Sequence, residues 1–166
     1  MTIIVEDGSQ VAGSNSYTSL ADARSYALAR GVVLSAIDAD LEAQVLFAMD
    51  YLESFSLRFK GCRYSRDQSL SWPRMGVVID GWPWSGIEIP RQVITAQLAL
   101  IVEIHQGEDP YNPSSAALPV VREKVEGAVE VEYANPATAF KVGKTQQSST
   151  LIRMLLKNSG LFAIRS

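Results

Sequence analysis

Cysteine and histidine are almost absent from these 166 residues; Cys62 and His105 stand alone. One cysteine cannot close an intramolecular disulfide, and the two residues together cannot supply a zinc cluster. The chain therefore suits a reducing cytoplasm, and no cofactor and no metal are expected. Long hydrophobic runs are missing as well. The most apolar stretch, residues 93–104, contains Gln97 and Glu103 and falls short of the ~20 residues that cross a bilayer, so no membrane partner is expected. Residues 1–15 lack a cationic segment followed by an apolar one, so the expectation is a protein without a secretory signal that stays where it is made. Nor is there an excess of positive charge. Fifteen Lys and Arg against 18 Asp and Glu give a net charge of −3, which excludes a globally cationic DNA binder and leaves room only for a local basic patch.

What is present suffices for one globular domain: at this length about 69% of the unfolded chain's surface is buried on folding, and 47% of the residues are apolar. The pattern predicts a mainly α fold, a small helical bundle of about three core helices plus a short C-terminal helix, with a minor β-hairpin or extended arms. Residues 1–112 form the helical core with its N-terminal arm. Residues 113–166 form a C-terminal extended arm and short helix, either part of the same domain or a docking segment. Helix 1 is expected at about 20–30, with Ser19 and Asp22 as its capping box and Gly31 as its stop. Helix 2 follows a cap at Ser35 or Asp38, with Leu41, Val45, Ala48, Met49, Leu52 and Phe55 at helical spacing. Ile89-Pro90 opens helix 3, whose Val93, Ala96, Leu100, Ile101 and Ile104 face one way while Ile94, Leu98 and Val102 make the other side apolar too. Residues 121–131 alternate as strands or an arm, and 151–158 read as a terminal helix capped by Ser148 or Ser149. Residues 2–16, with the Asp7-Gly8 turn, read as a hairpin or an arm.

The chemistry is sparse. Gly143-Lys144-Thr145 resembles the tail of a phosphate loop, but Thr138 stands where that signature needs glycine. His105 is the sole imidazole, so a Ser or Cys nucleophile has one candidate base, and the end of helix 3 suits it better as a partner for the helix dipole. Cys62 lies among Arg58, Lys60, Arg63 and Arg66, which can activate a thiol, yet it has no resolving cysteine. Asp38 with Asp40, and Glu130 with Glu132, read as a helix start and a solvent-facing strand. No catalytic residues are assigned, and the protein is not expected to be an enzyme. Arg58, Lys60, Arg63, Tyr64 and Arg66, with Phe59 interleaved, are the best candidate nucleic-acid contact, because aromatic stacking and phosphate pairing grip a single strand. The same arginines can instead pair with Glu42, Asp50, Glu53 or a neighbouring subunit.

Residues 58–89 break all periodicity and hold the three tryptophans, and within them Gln68, Leu70, Trp72, Pro73 and Arg74 are the most distinctive block. Trp72 before a proline is held extended and needs a pocket, within the subunit or across a subunit contact, while Arg74 offers a planar fork to a carboxylate or a carbonyl cluster. This block, with Ser16-Tyr17 before helix 1, Asp50-Tyr51-Leu52 ending helix 2 and Ile89-Pro90 opening helix 3, resembles the head–tail adaptor (head completion) proteins of tailed bacteriophages. Some of these carry the label of a DnaT-like single-stranded-DNA-binding domain. The resemblance covers roughly residues 16–106.

The resemblance implies a structural virion protein that is made in the bacterial host cytoplasm and located in the neck between capsid and tail. It would form a homo-oligomeric ring, typically twelve-fold, beneath the portal protein. That ring continues the DNA channel without sequence-specific binding and docks the next neck or tail protein. Such a ring needs two different faces per subunit. Gln68, Leu70, Trp72, Pro73 and Arg74 are then candidate interface residues. Leu151, Leu155 and Phe162 join them because the apolar residues of the C-terminal segment have no obvious home within the chain. The alternative is a single-stranded-DNA-binding module built on the basic and aromatic loop.

Overall fold

The computed structural model describes residues 2–111, 120–126, 128–133 and 146–157. Among these the protein is mainly helical with minor β structure. In chain order come α1 (Leu20–Leu28), α2 (Asp38–Glu53), β1 (Cys62–Arg63), β2 (Arg74–Met75), β3 (Val78–Ile79), β4 (Trp82–Pro83), α3 (Arg91–His105), β5 (Val120–Glu126), β6 (Ala128–Tyr133) and α4 (Gln147–Leu155). The strands pair antiparallel, β1 with β2, β3 with β4 and β5 with β6.

Helix α3 is the centre of the packing and contacts α1, α2 and α4. Its Val93, Ala96, Leu100 and Ile101 meet Ala23 and Ala27 of α1 and Leu41, Val45, Ala48 and Leu52 of α2 in one core. On the second side Leu98 is buried and Ile94 and Val102 are half-buried against the core, so the apolar second side of this helix is covered in part. The loop between α2 and α3 enters the same core through Phe59, Leu70, Trp72, Val77 and Ile79. Burying those side chains holds a segment that has no periodicity of its own.

The helix ends differ in how they are satisfied. The Ser19 hydroxyl accepts from Asp22 N–H at 3.1 Å and donates to the Asp22 carboxylate at 2.6 Å, so Ser19 is the N-cap as expected, while Asp22 takes the hydroxyl and not the Ser19 backbone N–H that a reciprocal capping box uses. At the far end Gly31 adopts φ +74° and Val32 N–H turns back to the Ala27 carbonyl, ending α1 two residues before the expected Arg30. Neither Ser35 nor Asp38 caps α2. Ile37 occupies the N-cap without a side-chain bond, the Ser35 hydroxyl accepts from Ile37 N–H, and Asp38 is drawn away by Arg24 at 2.6 Å.

The N-terminal segment is not a hairpin. Glu6, buried, gathers Gly8 N–H, Gln10 N–H and the Ser14 hydroxyl on its carboxylate, and the segment returns in a parallel bridge between Val5 and Ser16. Gly8 has φ +107°, and a Cβ there would sit 2.2 Å from the Ile87 carbonyl oxygen, so only glycine fits this approach.

The C-terminal helix does have a home within the chain, contrary to expectation. Ile152, Leu155 and Leu156 join the core, and Lys60 N–H to Leu155 O with Lys157 N–H to Arg58 O ties the end of α4 and the two residues after it to the start of the loop. Its N-terminus is satisfied by Glu103 of α3, which accepts from both the amide and the hydroxyl of Ser148; neither Ser148 nor Ser149 is the cap. The expected boundary at 112/113 falls outside the described residues. No helix among the described residues is long and apolar enough to cross a membrane.

Candidate functional site

The distinctive block is held by an interior polar network assembled from four parts of the chain. The Tyr17 phenol accepts from Trp72 N–H at 3.0 Å and donates to Glu53 at 3.0 Å. The Glu53 carboxylate also accepts from the amide of Ser71 and, at 2.6 Å, from its hydroxyl. Tyr17 N–H in turn donates to the side chain of Gln97 in α3 at 2.9 Å, and Gln97 donates to the Ser16 hydroxyl at 2.8 Å. Burial and the nearby Glu53 charge hold the Tyr17 phenol well above its ordinary pKa of 10.0, so it stays a neutral donor.

All five block residues lie in the interior of this subunit. Trp72 is 0% exposed, packed edge-on against Phe59 at 5.8 Å, and reached through a cis Trp72–Pro73 bond. Gln68 donates to the Leu70 and Pro73 carbonyls and accepts from Ser65 N–H. Arg74, 4% exposed, finds carbonyls: Lys60 O at 2.8 Å, Gly61 O at 3.0 Å and Ser71 O at 3.3 Å. Burial lowers its pKa from the usual guanidinium value, but a guanidinium stays charged and its charge is carried here by carbonyl dipoles. The block thus fastens the loop to its own subunit, leaving none of these five side chains outward-facing for a neighbour. Of the other interface candidates, Leu151 is half-buried and Leu155 fully buried against α3; Phe162 lies outside the described residues.

The basic candidates are on the outside. Arg58, Arg63 and Arg66 are exposed and Lys60 is half-buried. The Arg58 guanidinium lies 5.6 Å from the Phe55 ring, Lys60 Nζ reaches the Val78 carbonyl at 3.5 Å, and Arg63 approaches Glu53 at 4.0 Å. Tyr64 is exposed beside Gly86 and Met75. Phe59, by contrast, is turned fully inward. The reading of the sequence missed Trp82, 75% exposed, as the larger aromatic of this face; its place in a two-residue strand opposite Ile79 could not be foreseen from so short a pattern. These groups together can stack on a base or an apolar side chain and pair with an anion.

The remaining candidates do not converge on a reaction. His105 meets Gln44 at 3.4 Å, Cys62 is exposed and free, and Asp38 pairs with Arg24. Register sets Glu130 opposite Lys124 and Glu132 opposite Arg122, while Lys144 lies outside the described residues. Among the described residues no group of three His, Cys, Asp or Glu could hold a metal. A cavity of about 200 Å³ between α1, α3 and the start of α4 is lined by Tyr26, Glu103, Gln106 and Gln146 among others, with none of the basic loop residues in its wall.

No curated protein and no solved structure matches the chain significantly. A family model does match, over residues 1–166, and so takes in the C-terminal third, where sequence reading finds no motif. By that match the chain belongs to the family described as "Putative DnaT-like ssDNA binding protein".

Proposed function

We propose that this chain is a structural head–tail adaptor of a tailed bacteriophage. In this reading it forms a ring under the portal protein, continues the DNA channel without reading its sequence, and docks the next neck or tail protein, with α1, α2 and α3 as its core bundle. It acts as scaffold and not as an enzyme, in the virion neck.

The observation that carries the reading is the division between an interior-locked loop and an apolar outside. The block that resembles the adaptors is turned into its own subunit, with Gln68 and Arg74 bonded to backbone groups there and, of its buried side-chain polar atoms, only the Trp72 indole N–H without a partner among the described residues, whereas Leu57 at 89%, Val33 at 77% and Trp82 at 75% stand exposed. Where such side chains gather into a patch, they mark contact surfaces in soluble proteins. The test is electron microscopy of the purified chain, alone and with portal rings of its phage. Closed rings seated on the portal are expected, and a chain that leaves the portal bare would refute the adaptor.

The second reading, single-stranded-DNA binding, is favoured by the name of the family together with the exposed set Arg58, Arg63, Tyr64, Arg66 and Trp82. It calls for a salt-sensitive affinity for oligonucleotide.

A further inference from the structure

Six of the exposed large apolar side chains among the described residues, including the four most exposed, flank the two ends of α2. Leu28, Val33 and Ile37 stand on the α1–α2 connection at its amino end. Leu57 stands just past its carboxyl end, and Val78 and Trp82 on the β3–β4 hairpin, which Lys60 tethers through the Val78 carbonyl. Sixteen helical residues at 1.5 Å each separate the sets by about 24 Å.

The charges around the two sets are of opposite balance. At the amino end are the carboxylates of Asp22, Asp38, Asp40 and Glu42, against Arg24, which is held by Asp38 and the Ser35 and Ala36 carbonyls, and Arg30, which lies 3.3 Å over the Tyr26 ring. At the carboxyl end are Arg58, Lys60, Arg63, Arg66 and Lys157, against Asp50, Asp67, Asp80 and Glu53, the last engaged by Ser71 and Tyr17 and approached by Arg63. A surface complementary to one end therefore has the character of the other: apolar at the centre, opposite in charge at the rim.

From this complementarity we propose that the two ends of α2 mate head to tail between successive copies of this chain, Leu28, Val33 and Ile37 of one against Leu57, Val78 and Trp82 of the next. The proposal rests on the ring reading above and names the surfaces that make the ring. The contact is heterologous, so it propagates until the rotation closes, and its charged rim makes assembly weaker as salt rises.

Ile37→Glu and Leu57→Glu test it in the full chain, since both side chains are exposed and neither change disturbs the core; thermal unfolding of each variant checks that. Mass photometry should show assemblies for the natural sequence and monomers for each variant, with the self-association constant weakened at least about 30-fold, the scale of a lost interface anchor. An equimolar mixture should recover dimers and stop there, because each variant keeps one intact face of opposite kind. Rings that survive either substitution would overturn the mating and leave the adaptor reading standing. A mixture that stays monomeric would overturn it in favour of a self-complementary contact. A natural chain that remains monomeric both alone and on portal rings would overturn both readings, as would a carboxyl end that takes up labelled oligothymidine in place of a second copy.

Discussion

Trp72 and Tyr17 are the residues on which the loop depends. Truncating Trp72 removes its transfer energy and leaves a cavity lined by Phe59, so Trp72→Ala should destabilise the subunit by about 3–5 kcal/mol in urea unfolding; an unchanged midpoint would refute its role as anchor. Tyr17 makes a pH prediction. Its phenol is held above 10.0 in the fold, while an unfolded tyrosine releases its proton near pH 10. The unfolded state therefore binds fewer protons above that value, and the contribution of Tyr17, fully present below pH 10, is lost as pH rises towards the folded value. Stability should fall by up to about 1.4 kcal/mol per pH unit for this group. Tyr51 and Tyr111 are raised in the same direction by burial and nearby charges, so Tyr17→Phe should flatten the alkaline fall without removing it. An identical slope in the variant would assign the effect elsewhere.

At the scale of elements, α4 is held by α3 through Glu103 and by the loop through Leu155–Lys157. Glu103→Ala removes the acceptor of the Ser148 amide and hydroxyl, at a cost of about 1 kcal/mol, and hydrogen exchange across residues 147–155 should quicken while that of α2 stays as it was. Equal protection in the variant would mean that packing of Ile152 and Leu155 alone fixes the helix. The helices were legible in the sequence because three- and four-residue spacing and the Ser19 cap are local signals. Gln97 was visible only as a polar interruption of an apolar run, and its partner Tyr17 is 80 residues away, a distance at which no spacing rule operates. Glu53 was legible as a partner for arginines, but its stronger engagement with Ser71 and Tyr17 depends on how the loop folds back. The docking of α4 was illegible for the same reason: amphipathic residues state that a face is covered, and tertiary packing decides by what.

For the whole molecule, charge sets the expectation. With a net charge of −3 and Arg74 occupied by carbonyls, only the local basic set around Arg58, Arg63 and Arg66 is left to release counterions from a phosphate backbone, against an overall negative field. Fluorescence anisotropy with single-stranded oligonucleotide near physiological salt should give a dissociation constant weaker than about 1 µM, and a tighter value that falls steeply with salt would favour the DNA-binding reading.

The network that joins Tyr17, Glu53, Ser71, Trp72 and Gln97 also bears on how this sequence can vary. Each member is satisfied only because the others are in place, so the effect of changing one depends on whether its partner has already changed. Tyr17→Phe deprives Trp72 N–H of its acceptor and Glu53 of a donor, and Glu53→Gln after it has less left to lose. The two costs should therefore sum to more than the double variant shows, by about 0.5–3 kcal/mol in a double-mutant cycle. Substitutions at these positions are epistatic, and the sequence is free to drift there by sets of residues more readily than one at a time.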